Sequence, residues 1–153
     1  MTSFLRTLYR SMALVATAAV VTACGGGASG PTDTVAPSVT ITSSASGTTA
    51  KAAVTFTFTF SEDVGTSFDQ TKVAVTGGTA AASTTKVSAT VYTLVVTPTA
   101  NTNSGSIGVT VGAGAFSDLA GNKNAASATL AQAYDTAAPT VTITSGTTGT
   151  ATS

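Results

Sequence analysis

The sequence contains no histidine, no tryptophan and only one cysteine, Cys24, in 153 residues. Without histidine there is no imidazole to act as a general base or metal ligand near neutral pH. Without tryptophan the largest stacking surface for a sugar ring is missing. A single cysteine cannot close a disulfide within the chain, so the fold must hold by packing alone. Charge is also scarce: Asp, Glu, Lys and Arg make up 8% of the chain, with six basic and six acidic residues. No basic patch exists, which excludes nucleic acid as a partner. Serine and threonine are plentiful, but no histidine or suitably placed lysine accompanies them to activate a hydroxyl nucleophile. The sequence therefore reads as non-catalytic.

The N-terminal residues have the layout of a signal segment. Arg6 and Arg10 precede a short apolar run, Met12 to Val21, interrupted only by Thr17, and small residues follow. Ten residues are too few to cross a bilayer, which takes about 20. Val21-Thr22-Ala23-Cys24 resembles the lipobox of bacterial lipoproteins. That resemblance implies cleavage after residue 23 and a lipid on Cys24, which would become the new N-terminus. Gly25 at the next position leans towards the outer membrane or cell surface. An ordinary secretory signal with an incidental cysteine is the alternative. Residues 24–36 read as a disordered Gly-rich tether of about 20 Å root-mean-square length. Removal of residues 1–23 leaves four lysines against six carboxylates, a slightly acidic chain.

The remaining sequence alternates threonine with apolar residues, the pattern of strands with one wet face. "AAVTFTFTF" is the clearest case, with Val54, Phe56, Phe58 and Phe60 on one face and Thr55, Thr57 and Thr59 on the other. Each buried phenylalanine contributes about 1.5–3 kcal/mol, so this strand anchors the core. The same alternation marks "SVTITS", "TKVAVTG", "VYTLVVTP", "SIGVTVG" and "AASATLAQAY", and a seventh, weaker strand is expected near Ala80 to Lys86. Turn residues separate these runs, and sustained helical periodicity is missing after the signal segment. Seven short strands in about 100 residues predict an all-β sandwich over residues 37–134.

An internal repeat follows. Residues 33–43, "DTVAPSVTITS", return as residues 135–145, "DTAAPTVTITS", identical at nine of eleven positions and offset by 102 residues. The offset matches one sandwich, so residues 135–153 are read as a linker and the first strand of a truncated second repeat.

"DTVAP" at 33–37, "FSEDV" at 60–64, "VTPTA" at 96–100 and "SDLAGN" at 117–122 together resemble the bacterial immunoglobulin-like domains that occur in tandem on surface proteins and adhesins. Asp63 departs from the pattern, which often has proline there. The resemblance implies a seven-stranded Ig-like sandwich acting as a spacer or stalk, with neighbouring Ig-like repeats as partners and, in some members, bound Ca2+. In the Ig strand order, Asp33, Glu62, Asp63, Asp118 and Asn122 would gather at one pole. Ca2+ takes six to eight oxygen ligands at about 2.3–2.6 Å, and this donor set suits it. Asp and Asn also begin turns by bonding their own backbone, and both readings of these five residues stand. Glu62 and Asp63 are neighbours in extended chain and would face opposite ways, so they form no acid–base pair. Two other functions compete with the stalk: a module that binds a surface protein or glycan through its loops, and the leading part of a lipoprotein enzyme whose catalytic domain lies further along.

Overall fold

The computed structural model describes residues 32–126, 128–144 and 146. The signal segment 1–23, Cys24 and the tether as far as Pro31 lie outside the described residues, as do Ser145 and residues 147–153. Within them, eight strands run in the order β1 (Val39–Ser43), β2 (Val54–Phe60), β3 (Val73–Thr76), β4 (Gly78–Ala80), β5 (Thr85–Lys86), β6 (Val91–Pro98), β7 (Gly105–Val111) and β8 (Ala128–Tyr134). A single 3-10 turn, Gln70–Lys72, precedes β3. No helix among the described residues is long and apolar enough to cross a membrane.

The strands form two antiparallel sheets. One has β1 at its edge, then β2, then β6, with β4 and β5 both paired to the far side of β6; the other is β3-β7-β8. β4 and β5 lie end to end along β6, with Ala80 opposite Val96 and Thr85 opposite Thr93. They are two halves of the seventh strand expected near Ala80 to Lys86. Its small residues bury little, and the ladder breaks in the middle. The architecture is an Ig-like β-sandwich.

The inner faces are those that alternation predicts. Val54, Phe56, Phe58 and Phe60 from β2, Tyr92, Leu94 and Val96 from β6, and Ile107, Val109 and Val111 from β7 are all buried. Ile41 of β1 lies opposite Phe58, and Val39 lies opposite Phe60. Four further core residues come from connections outside the named strands: Ala50 before β2, Val64 and Phe68 after β2, and Phe116 after β7. The Phe60 ring meets Phe68 at 4.9 Å, Phe116 at 4.8 Å and Tyr92 at 5.7 Å between centroids, each edge to face. Such ring pairs contribute about 0.5–1.5 kcal/mol each beyond their burial.

Chain direction separates the two ends of the domain. β1 begins beside Phe60, at the end where β2 finishes. β8 begins opposite Val111 at that same end and runs away to Tyr134, which lies opposite Gly105 and beside Ala50 in the β1–β2 connection. The chain thus enters at one pole and leaves at the other. The exit is tightly held. Ala50 N donates to Ala133 O and Asp135 N donates to Ala50 O, each at 2.9 Å, and Thr136 Oγ1 donates to Thr99 O at 2.7 Å. Gly105 sits against the Tyr134 ring so closely that a Cβ would enter it. Gln132, buried in β8, joins the sheets at the same end. Its Oε1 accepts from Ser43 Oγ at 2.7 Å and its Nε2 donates to Thr48 O at 2.7 Å.

Replacing Phe58 by alanine should cost about 3–5 kcal/mol in chemical denaturation, the range for deleting a buried ring. Thr57→Ala, on the wet face of the same strand, should stay within about 0.5 kcal/mol. Equal losses would mean that the strand buries its other face.

Candidate functional site

The entry pole gathers three segments: the residues before β1, the β2–β3 connection and the β7–β8 loop. The connections are fastened to each other before any acidic side chain is considered. Ser67 Oγ donates to Ser117 O at 2.6 Å and accepts from Ser117 N at 3.1 Å, clasping the loop after β2 to the loop after β7. Asn124, buried, shapes the β7–β8 loop from inside: its Oδ1 accepts from Phe116 N and its Nδ2 donates to Gly112 O and Ala126 O. Tyr92 Oη donates to Gly65 O at 2.6 Å.

On this frame Asp33, Glu62 and Asp118 each present a carboxylate oxygen within 4.8 Å of the others. That spacing fits a shared sphere of Ca2+ radius, since two ligands about 2.4 Å from an ion lie at most twice that apart. The three carboxylates come from three different segments. Among the described residues no ion pair reaches any of them; the one ion pair there is Lys86 with Asp63, at 4.0 Å.

The five residues grouped by the sequence fall into two sets. Asp118 is buried and bonded to Asn122, whose backbone N donates to Oδ1 and whose Nδ2 donates to Oδ2, both at 2.8 Å. Asn122 Nδ2 also donates to the Asp33 carbonyl at 3.0 Å, so Asn122 ties the entering chain to the loop as a donor. Gly121 has φ +95°, the left-handed conformation that this tight turn requires. Asp33 accepts from Val35 N at 2.9 Å and so also begins a turn. Asp63 stands apart from the trio: its Oδ1 accepts from Gly65 N at 2.8 Å and its carboxylate faces Lys86. Glu62 lies in the bend that follows β2, and it and its neighbour Asp63 are held among different partners.

The charges respond to this arrangement in opposite directions. Burial pushes the Glu62 carboxyl above its ordinary value of 4.5, and the neighbouring Asp118 and Asp33 charges push it further the same way. Burial also works against ionised Asp118, but hydrogen bonds from the Asn122 side chain, the Asn122 backbone and the Gly121 and Ala120 amides outweigh it, leaving Asp118 below 3.8. Asp118 is a satisfied carboxylate; Glu62 is an ionised group held beside like charge.

Sequence pattern did not single out Ser67 or Asn124. Nothing local distinguishes Asn124 from Asn122, and Ser67 is one hydroxyl among many; only the meeting of the two loops gives them partners. Elsewhere, Tyr92 and Tyr134 and the five phenylalanines from Phe56 to Phe116 are buried, so none offers a ring face to a ligand. A shallow cavity of about 350 Å³ at the exit pole is lined by Ser43, Ser46, Thr48, Leu130 and Gln132, none of them titratable.

Glu62 makes stability depend on pH. Its folded pKa lies above the unfolded value, so the folded state takes up a proton first as pH falls towards 4.5. Its contribution to stability is complete below that value and lost as pH rises through the folded pKa. Asp118 acts in reverse, stabilising above 3.8 and losing that effect as pH falls through its lower folded pKa. Without divalent cations, mild acidification from neutrality should therefore raise the melting temperature before stronger acid lowers it. Glu62→Gln should melt higher at neutral pH and lose the rise. A variant with the wild-type pH profile would show that the three charges do not interact.

The sequence profile of the bacterial Ig-like domain matches residues 33–134, from the first acid of the entry pole to the last residue of β8. No curated protein and no solved structure matches significantly. Domains of this kind are typically non-catalytic surface modules. The match spans most of the chain and coincides with the sandwich boundaries: this chain belongs to the bacterial Ig-like domain family.

Proposed function

We propose that this chain is a lipid-anchored Ig-like spacer, exported to the outer membrane or cell surface, that holds neighbouring modules away from the membrane as part of a tandem-repeat, adhesin-like stalk. The observation that carries this reading is the position of the chain ends. The entry is bonded to the domain by Asn122 Nδ2 donating to Asp33 O and Ser38 N donating to Ser61 Oγ. The exit is bonded at the opposite pole through Asp135 and Thr136. A module whose two connections are fixed at opposite ends transmits position along its length, as a stalk segment must. The anchor reading rests on Val21-Thr22-Ala23-Cys24, which lies outside the described residues.

In the same reading, Asp33, Glu62 and Asp118 take up Ca2+ and stiffen the entry joint, because Asp33 belongs to the connecting segment and the other two belong to the body of the domain. Three carboxylate oxygens within 4.8 Å of one another support this. Asn122 contributes by fixing Asp118 and the Asp33 backbone in place.

The anchor is tested by Cys24→Ala, which should abolish palmitate labelling and release the chain from the membrane fraction; retention of both would rule out lipidation at this residue. For the metal, millimolar Ca2+ should raise the melting temperature and chelator should lower it. Ligand at a hundredfold excess over its dissociation constant stabilises by about 2.7 kcal/mol. Asp118→Asn should remove the difference between the two conditions, and Asp69→Asn, outside the trio, should keep it. A wild-type chain that melts identically in Ca2+ and chelator leaves the three acids as turn residues and the stalk metal-free.

A further inference from the structure

The large apolar side chains that face water are not spread evenly over the sandwich. Between residues 32 and 134 four are well exposed: Val35 at 67%, Val87 at 63%, Leu119 at 74% and Val95 at 43%. The first three stand at the entry pole, each on a different segment. Val35 belongs to the entering chain and Leu119 to the β7–β8 loop. Val87 belongs to the β5–β6 turn, which lies beside the end of β2, where Phe60 N donates to Thr90 O at 2.8 Å. Shared contacts bring the three segments together. Leu119 Cδ2 lies over Gly65, 2.9 Å from where a Cβ would stand, and Gly65 O accepts from Nζ of Lys86, the residue before Val87. Asn122, three residues after Leu119, holds the carbonyl of Asp33, two residues before Val35. The exit pole has nothing comparable: its connections 44–53, Gly77 and 99–104 contain only Ser, Thr, Ala, Gly, Asn and one Lys. The outer face of the β1-β2-β6 sheet carries Thr40, Thr42, Thr57, Thr59, Thr93 and Thr97, with Val95 as the large apolar exception. Single exposed apolar residues are ordinary, whereas several gathered at one end point to an interaction surface.

We infer that the entry pole rests on the bilayer that carries the lipid anchor, with Val35, Val87 and Leu119 entering the interface and the sandwich standing upright on it. The inference deepens the proposed function and rests on lipidation at Cys24. Nine Cα–Cα steps separate Cys24 from Asp33 and span at most about 32 Å. The attachment therefore keeps the entry pole within that reach of the surface, while the exit pole lies a full strand length further along the domain. Three side chains of this size do not hold a protein on a membrane by themselves, and stable attachment takes a second signal. Here the lipid holds the chain and the three tips set its orientation.

Charge selects the kind of surface. The connections at this pole carry Asp33, Glu62, Asp63, Asp69 and Asp118 against Lys72, Lys86 and Lys123, so an anionic leaflet repels them. Zwitterionic headgroups oppose neither sign, and apolar insertion does not depend on charge. The competing orientation, flat on the membrane, would press the threonine face of the β1-β2-β6 sheet against lipid and bury its hydroxyls with little apolar area in return. Upright, that face stays in water. The chain then leaves at Asp135 and Thr136 from the pole away from the bilayer, which is where a following module has to begin. The stance does not require Ca2+ among the carboxylates and survives the failure of that reading.

The test uses the full processed chain in vesicles of phosphatidylcholine, with palmitate labelling to report the anchor. The sequence has no tryptophan, so Leu119→Trp introduces the only indole. On vesicles its emission should move to shorter wavelength and be quenched by lipid brominated on the acyl chains. Val95→Trp, on the outer face of β6, should keep the emission of an indole in water and escape quenching. Adding Val35→Asp and Val87→Asp to Leu119→Trp should remove the quenching without moving the melting temperature, since both positions are exposed. Equal quenching of Leu119→Trp and Val95→Trp would overturn the upright stance, because the module would then lie on its side. A shift at Leu119→Trp that ignores brominated lipid and fades on dilution would mean that the tips meet a second copy of the chain, and overturns docking on lipid. A palmitate-labelled chain with no shift overturns the docking and leaves the anchor standing. A chain without palmitate overturns the anchor, and the docking falls with it.

Discussion

The edge-to-face cluster around Phe60 is the contact on which the entry pole depends. Phe60 ends β2, Phe68 belongs to the connection that follows, Tyr92 belongs to β6 and Phe116 to the β7–β8 loop. Four rings from four segments therefore fix two long connections onto the end of the sandwich. Backbone hydrogen bonding alone would not do this, because neither connection pairs with a sheet over most of its length. The Ser67–Ser117 clasp and the Asn124 bonds then set the detail within a frame that the rings have already positioned.

Apolar packing places three carboxylates together with no ion pair to any of them among the described residues. Each ring contact is worth about 0.5–1.5 kcal/mol beyond burial. Burial of Asp118 works against its charge, and hydrogen bonds from Asn122, Gly121 and Ala120 outweigh that burial. The loops are placed by apolar packing, and the charges accept the positions they are given. Asp118 is relieved by Asn122; the Glu62 pKa is raised first by burial and then by the Asp118 and Asp33 charges. The raised pKa means that the arrangement favours a proton at Glu62.

The two poles differ in kind. The entry pole is built from long loops with acidic side chains. The exit pole is built from backbone bonds around Ala50, Asp135 and Thr136 and from the Gln132 bridge between sheets. The exit therefore points the departing chain in a set direction, while the entry holds a connecting segment through a few side-chain bonds that solution conditions can alter. In a series of such modules each joint would pair a fixed exit with an adjustable entry.

Alternation of threonine with apolar residues was enough to assign the inner face of β2, β6 and β7, because a strand has only two faces and water selects one. The break of one edge ribbon into β4 and β5 was foreshadowed only as weakness near Ala80 to Lys86, where small side chains bury too little to dictate pairing. Strand order and the resemblance brought Asp33, Glu62 and Asp118 to one pole, and the fold agrees. Only the tertiary structure decided that Asp63 turns away to Lys86, that Asn122 serves as a donor, and that Phe68, Phe116, Ser67 and Asn124 hold the pole together. Periodicity reports a side chain's relation to its own strand. Loop residues have no period, and their partners lie 50 residues away in sequence, as from Ser67 to Ser117. What they touch is set by how the two sheets bring the ends of distant strands together.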